Sequence, residues 1–562
     1  MNQALQRWLT SPVVDADTKE ELSAIAQDEK EVLSRFGSSL TFGTGGIRGL
    51  LGAGSNRMNI YVVRHATQGL ADLIRKTGAE ACRRGVIVGH DSRNFSREFA
   101  FEACRVLVAN GIKAYLFDEL RPTPEVSFAI RELNCIAGIN ITASHNPKEY
   151  NGYKVYWEDG AQLGLEQADV VYASICAKDI FEDVKVASVA QTESETELVY
   201  KDFDDKFLAN VLACSIDPQV IHRQKEMTII YTPFHGTGYR LVPEVLKRAG
   251  FDNVVCVPEQ MVLSGEFPTV ESPNPENKEG FAIAMKMADD LGADFIIGTD
   301  PDADRVGVII RDKNGDFVAL TGNQTGALLL DYVLGARKAT GNLPVNAAAV
   351  KSIVSTEMAT AICKKYGVAM INVLTGFKFI GEKIKEFEAD GNHTYVFGFE
   401  ESYGYLTGTY ARDKDAVAAS LLVAEMAAHY REKGMTLADA LNALYEEYGY
   451  YGEKTVSITM KGVDGAEKMK ALMSRLRNIR PQSLAGIDVV QVFDLQNGAM
   501  GLPASDVMYY RLADGSVLVV RPSGTEPKVK FYVLVKGTSS TDVTAKIDSL
   551  RTEFFSFAEI NN

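Results

Sequence analysis

Ser144 follows an apolar run, 136–141, within Ile141-Thr142-Ala143-Ser144-His145-Asn146-Pro147. Such a run reads as a short buried strand, which puts the hydroxyl at its carboxyl end, where open α/β sheets bind their ligands. Beside an imidazole the serine has the setting of a nucleophile, although Ser, Asn and Pro also make plain turns. A second run, Gly298-Thr299-Asp300-Pro301-Asp302-Ala303-Asp304-Arg305, spaces three carboxylates at alternate positions. An extended backbone projects them to one side. Converging carboxylates repel unless a cation joins them, and hard oxygen ligands suit Mg2+. An EF-hand is excluded, because its glycine position holds Arg305 and its bidentate glutamate position holds Arg311. A solvated acidic turn is the alternative.

Two further runs offer groups for a phosphate and a sugar. Arg521-Pro522-Ser523-Gly524-Thr525-Glu526-Pro527-Lys528 supplies a guanidinium, hydroxyls, a glycine-freed backbone and an ammonium, the donors a phosphate dianion needs. It lacks the Walker A spacing, and a hairpin turn is the competing reading. Gly398-Phe399-Glu400-Glu401-Ser402-Tyr403-Gly404 sets carboxylates and a hydroxyl on a loop; such groups suit sugar hydroxyls, and equally a helix cap. Thr375-Gly376-Phe377-Lys378 is a turn opening a helix. Gly43-Thr44-Gly45-Gly46-Ile47-Arg48-Gly49 misses the dinucleotide fingerprint by one residue, leaving a flexible loop that presents Arg48 to an anion, or a plain connector. His235-Gly236-Thr237-Gly238 reads as structural.

The chain must position these runs with more than one core, since 562 residues exceed the roughly 250 to 300 that one core sustains. A hydrophobic content of 46% with 24% charged residues is ordinary for a globular chain. The net charge of −15 argues against nucleic acid and anionic membranes as partners, which favour basic faces. The seven cysteines are scattered without a C-x-x-C pair and read as reduced core residues. Neither a signal peptide nor a membrane span is apparent, so a cytoplasmic protein is expected.

Helical and strand patterns alternate: helix 61–75, strand 86–89, helix 97–110, strand 113–117, helix 125–133, then the strand before Ser144. This is βαβ grammar with a parallel sheet. A second alternating unit contains strands 227–231, 254–257 and 293–298, with a further strand at 306–310 after the aspartates. A third begins near Gly322 with an apolar helix and continues through strands 368–373 and 394–397. Past Tyr450 strands dominate, at 455–460, 489–492, 507–512, 517–520 and 529–535, with helices near Glu467 and Asp542. The expected fold is α/β, three tandem related mixed α/β domains at 1–206, 207–321 and 322–450, and a smaller α+β domain at 451–562.

Taken in order, Ser144-His145-Asn146-Pro147, Asp300-x-Asp302-x-Asp304-Arg305, Glu400-x-Ser402 and Arg521-Pro522-Ser523-Gly524-Thr525 resemble the α-D-phosphohexomutase superfamily. The resemblance implies a heart-shaped, four-domain enzyme with a central cleft. It implies that Ser144 carries a phosphoryl group, that Asp300, Asp302 and Asp304 hold Mg2+ in contact with the serine phosphate, and that Arg48 and Arg305 face that phosphate. Lys154 resembles the lysine assigned as general acid or base, with His145 beside the serine. Glu400 and Ser402 resemble the pair that holds sugar hydroxyls, with sugar preference set at the Thr375-Gly376-Phe377 loop. Arg521, Ser523, Gly524 and Thr525 resemble the clamp on the non-reacting phosphate.

The activity implied is exchange of glucose 1-phosphate and glucose 6-phosphate, primed by a sugar 1,6-bisphosphate. Phosphopentomutase and phosphomannomutase are rivals with the same chemistry. Pro301 and Ala303 stand where other members carry glycine, and Tyr403-Gly404 where some dual-specificity members carry Gly-His. A serine phosphatase would have no need of the clamp, and a noncatalytic sugar-phosphate sensor no need of the nucleophile.

Overall fold

The computed structural model describes residues 2–43, 45–460, 465–523 and 528–559. Strands that are buried on both faces read as continuous apolar runs. Val86–His90, Ala137–Ile141 and Phe295–Thr299 are such strands, buried at every position. Helices cover them. Ile60–Thr77 starts on the Asn59 side chain and ends at Gly78, whose φ of 129° few other residues adopt. Gly322–Ala339 opens with a reciprocal capping box between Thr321 and Gln324.

Four sheets follow one another along the chain, and the first three repeat one plan. In the first, Val86–His90 pairs in parallel with Ala114–Phe117 on one side and Ala137–Ile141 on the other, and Tyr150–Trp157 returns antiparallel beside Ala137–Ile141. In the second, Ile229–Thr232 lies between Val254–Cys256 and Phe295–Thr299, followed by antiparallel Val306–Arg311. In the third, Ala347–Ser352 lies between Ala369–Val373 and Thr394–Glu400, followed by antiparallel Gly404–Leu406. Each centre is thus a point where strand order reverses, the usual place for a ligand crevice. The fourth sheet is antiparallel throughout, from Tyr450–Thr459 to Lys528–Gly537, with helices Gly465–Asn478 and Ser540–Phe557.

One apolar core runs through the first three sheets and includes Phe117, Ile229, Phe397 and most of the helix Ala416–Glu432. The last sheet has its own core around Leu518, Phe531 and Phe554. A separate cluster joins Ile353, Val354 and Leu374 of the third sheet's loops to Tyr509, Val519 and Tyr532 of the last.

Several expectations need correction. The first sheet is not wholly parallel, because Tyr150–Trp157 closes it as an antiparallel strand, and neither that strand nor Ala347–Ser352 is evident in the sequence pattern. Arg48 does not lie on a flexible loop: Gly46–Leu50 is a strand paired with Tyr150–Trp157. At Gly46, φ is 149° and a Cβ would meet the Tyr153 carbonyl oxygen at 2.0 Å, so only glycine fits. The helix Asp202–Leu212 runs across the expected junction at 206/207. Cys176 is exposed and so is not a core residue.

Candidate active site

The three repeats place their chemistry at one topological position. The serine loop joins Ala137–Ile141 to Tyr150–Trp157, the aspartate loop joins Phe295–Thr299 to Val306–Arg311, and the glutamate loop joins Thr394–Glu400 to Gly404–Leu406. Each hairpin turns through a left-handed residue: φ is 51° at Ser144, 48° at Ala303 and 67° at Tyr403. This conformation is costly for side chains other than glycine. A glycine at position 303 would take this conformation without that cost. The fourth run lies between Val517–Pro522 and Lys528–Gly537; Gly524 and Thr525 fall outside the described residues. All four regions line one cavity of about 1100 Å3, which includes Arg48, His145, Lys154, Arg305, Glu400 and Arg521.

Ser144 is 3% exposed, between Thr142 and the pair His145 and Asn146, which line the cavity. Its Oγ donates to Asp300 Oδ2 at 2.7 Å and lies 3.2 Å from His145 Nδ1. Burial, then the cations Arg305 and Arg48, push His145 well below the usual imidazole range, so a neutral ring faces the serine. The serine backbone is held at both ends. Its N–H donates to Thr142 Oγ1 at 2.9 Å, and its carbonyl accepts from Arg93. Arg93 also donates to the carbonyls of Asn146, Pro147 and Tyr150. Its guanidinium lies 5.0 Å from the Phe267 ring centroid, a residue of the second unit. Arg48 sits on its strand opposite Gly152 and donates to Asn146 Oδ1 at 3.0 Å.

One carboxylate oxygen from each of Asp300, Asp302 and Asp304 lies within 4.8 Å of the others. Asp300 is held through both oxygens, Oδ2 by the Ser144 hydroxyl, whereas Asp302 and Asp304 are each anchored through Oδ2. Asp300 Oδ1 accepts the backbone N–H groups of Asp304 and Arg305 at 3.1 and 3.0 Å. Asp302 Oδ2 accepts from Thr123 Oγ1 at 2.6 Å and Lys154 Nζ at 2.7 Å. Asp304 Oδ2 faces Lys154 Nζ at 3.1 Å and Lys414 Nζ at 3.3 Å. Asp302 Oδ1 and Asp304 Oδ1 are buried without a hydrogen-bond partner. Such orphaned acceptors are rare unless an ion or water belongs with them. Burial, then the two neighbouring aspartates, push Asp300 well above the usual carboxylate range, a repulsion that a divalent cation relieves. The donor set therefore fits a hard cation such as Mg2+.

Lys154 projects from the unanticipated strand Tyr150–Trp157 and bridges Asp302 and Asp304; those carboxylates raise its pKa in opposition to burial. Arg305 pairs with Glu276 at 3.2 Å. On the opposite wall Glu400 accepts the Gly376 N–H at 2.7 Å. Burial pushes its carboxyl up to about 7, opposed by Lys414 and aided by Glu401. Thr375, Gly376 and Ser402 line the cavity, and so do Arg521, Ser523, Lys528 and Lys530. Phe377 is a correction: it is 3% exposed and packs with Val350, Val373 and Ile384 beneath the loop, away from the cavity surface. Sequence reasoning missed Arg93, Thr123, Lys414 and Lys530. Arg93 and Thr123 each lie a few residues beyond the carboxyl end of a parallel strand in the first sheet, and scanning those ends for polar residues would have found them.

Comparison with known proteins agrees with this arrangement. The chain matches the phosphoglucomutase/phosphomannomutase alpha/beta/alpha domains I, II and III over residues 39–180, 205–315 and 321–448, and the C-terminal domain over 469–547. It is 37% identical to a phosphoglucomutase of Staphylococcus haemolyticus, with 89% of this chain and 90% of that protein covered. It is 36% identical to one of Staphylococcus aureus, with 93% and 94% covered. The fold is shared with a putative phosphomannomutase from Thermus thermophilus (TM-score 0.68, 21% identity, 93% and 99% covered). It is also shared with the phosphoglucomutase parafusin from Paramecium (TM-score 0.68, 19% identity, 93% and 96% covered). With the same four motifs set on one cavity, this chain belongs to the α-D-phosphohexomutase superfamily.

Proposed function

We propose that this chain is a phosphoglucomutase that exchanges glucose 1-phosphate and glucose 6-phosphate through phosphorylated Ser144 and a sugar 1,6-bisphosphate. The observation that carries the reading is the convergence of the serine, aspartate and glutamate hairpins and the Arg521 region on a single cavity. Phosphoryl transfer needs mainly positioning and charge neutralisation. On this reading Asp300, Asp302 and Asp304 hold Mg2+, which when bound neutralises charge on the transferring group. Arg48 and Arg305 draw in its remaining oxygens. Lys154, within reach of the cavity and paired with two carboxylates, moves the proton of the attacking or leaving sugar hydroxyl, and His145 holds the serine side.

Glu400 and Ser402 orient the sugar hydroxyls, with Thr375 and Gly376 beside them. Arg521, Ser523, Gly524 and Thr525 hold the phosphate that is not reacting. The bisphosphate turns over between the two transfers, so each end must fit both positions. The cavity's 1100 Å3 exceeds what one hexose bisphosphate fills. We read the chain as four domains, the first junction lying ahead of the helix Asp202–Leu212 and the others near residues 321 and 450, acting on small sugar phosphates in the cytoplasm; among the described residues no helix is long and apolar enough to cross a membrane.

A coupled assay with Mg2+ and glucose 1,6-bisphosphate, comparing glucose, mannose and ribose 1-phosphates, tests the substrate. Preference for the glucose ester is expected. A preference for ribose or mannose would reassign the sugar, and stoichiometric release of inorganic phosphate would replace the mutase with a hydrolase.

A further inference from the structure

We infer that Thr123 is a positioning residue that decides which oxygen of Asp302 is left for the cation, an inference that rests on the metal reading above. Thr123 opens the helix Thr123–Glu132 in the first unit, whereas Asp302 belongs to the second. Two bonds join them: Thr123 N–H donates to the Asp302 carbonyl at 2.8 Å, and Thr123 Oγ1 donates to Oδ2 at 2.6 Å. A carboxylate oxygen only accepts, and Asn140 holds the donating hydroxyl in place. Its Nδ2 donates to Thr123 Oγ1 at 2.8 Å. An amide nitrogen donates and cannot accept, so the hydroxyl hydrogen is left for Asp302.

Lys154 Nζ takes the same carboxylate oxygen at 2.7 Å. Oδ2 is therefore saturated by the protein, and Oδ1, buried without a hydrogen-bond partner in a residue whose carboxylate gathers with those of Asp300 and Asp304, is the oxygen left for a cation. Thr123, Asn140 and Asp302 are all 0% exposed, so no bulk water can replace the hydroxyl. Without it, one donor in place of two restrains a carboxylate whose terminal torsion is intrinsically broad. The first unit thus reaches across to set a ligand of the second.

The experiment measures Mn2+ binding to the full chain from the paramagnetic resonance of free Mn2+, for native protein, Thr123→Val, Thr123→Ser and Asp302→Asn. Valine is close to isosteric and keeps the Thr123 N–H bond. Thr123→Val is expected to bind Mn2+ about 10- to 100-fold more weakly, and Thr123→Ser within about threefold of native, as for other groups that orient metal ligands. Activity of the valine variant should recover as metal is raised, with KM for the sugar phosphate unchanged. Should the valine variant fail to fold, Asn140→Leu removes the amide that orients the hydroxyl and must weaken Mn2+ in the same direction. Native affinity in Thr123→Val, or in Asn140→Leu where that stands in, overturns the inference, as does equal weakening in the serine variant. A native protein that binds no Mn2+, or binding untouched by Asp302→Asn, overturns the metal reading instead.

Discussion

Replacing Arg93 by lysine keeps a buried positive charge and removes the guanidinium fork. Arg93 is 3% exposed and donates to four carbonyls of the serine loop, those of Ser144, Asn146, Pro147 and Tyr150. A lysine ammonium concentrates its donors on one nitrogen at the end of a shorter reach, so it retains two of these bonds at best. Hydrogen bonds from a charged donor are worth ~1.5–3 kcal/mol each, so losing two costs about 3 kcal/mol even at the low end of that range. The loop is where this cost falls, because Ser144 is held left-handed by the bond to its carbonyl and the one from its own N–H. A 3 kcal/mol penalty on the reactive geometry lowers its population by roughly 10²-fold. The expected outcome is a kcat about 10²-fold below native, with KM close to native, since Glu400, Ser402 and Arg521 are untouched. Coupled assay kinetics read both constants, and thermal unfolding reads the fold. A variant with native kcat and a lowered Tm would refute the reasoning and make Arg93 purely structural.

Glu400→Gln preserves the acceptor for Gly376 N–H and removes a titrating group. Because the folded carboxyl is pushed up to about 7 against an ordinary 4.5, the folded state holds more protons than the unfolded one between those values, and stability falls as pH rises through that window. The Tm of the glutamine variant should therefore gain on native from pH 5 to pH 8; parallel curves would contradict this. Lys154→Met leaves Asp302 and Asp304 short of a buried cation, a loss of ~3 kcal/mol by analogy with broken buried pairs. Added Mg2+ should raise the Tm of this variant more than that of native protein while activity stays lost, and an equal rise in both would contradict it.

The motifs were readable in the sequence because each follows an apolar strand and carries residue types with few other reasons to cluster, as Asp300, Asp302 and Asp304 do. What escaped was set by tertiary context. The central strand Ala347–Ser352 is half alanine, a poor strand former, and contains Lys351, which is fully buried with bonds to the Ser355 carbonyl and Glu357. The strand that bears Lys154 opens with Tyr150 followed by the turn-like residues Asn151 and Gly152, of which Gly152 is required because a Cβ there would strike the Thr142 carbonyl oxygen at 2.5 Å. Phe377 adjoins cavity residues in sequence, but its apolar ring is drawn into the core below. Arg93, Thr123 and Lys414 carry no motif of their own, and their contacts lie 51, 179 and 110 residues away in Ser144, Asp302 and Asp304.

Transfer of a labelled phosphoryl group to the chain tests the central claim most directly. Incubating the protein with Mg2+ and [32P]-labelled glucose 1,6-bisphosphate, then mapping the label by mass spectrometry, should place one phosphoryl group on Ser144, chase it off with unlabelled glucose 6-phosphate, and find none in Ser144→Ala. Full mutase activity in Ser144→Ala, or turnover with Ser144 never labelled, would contradict the account.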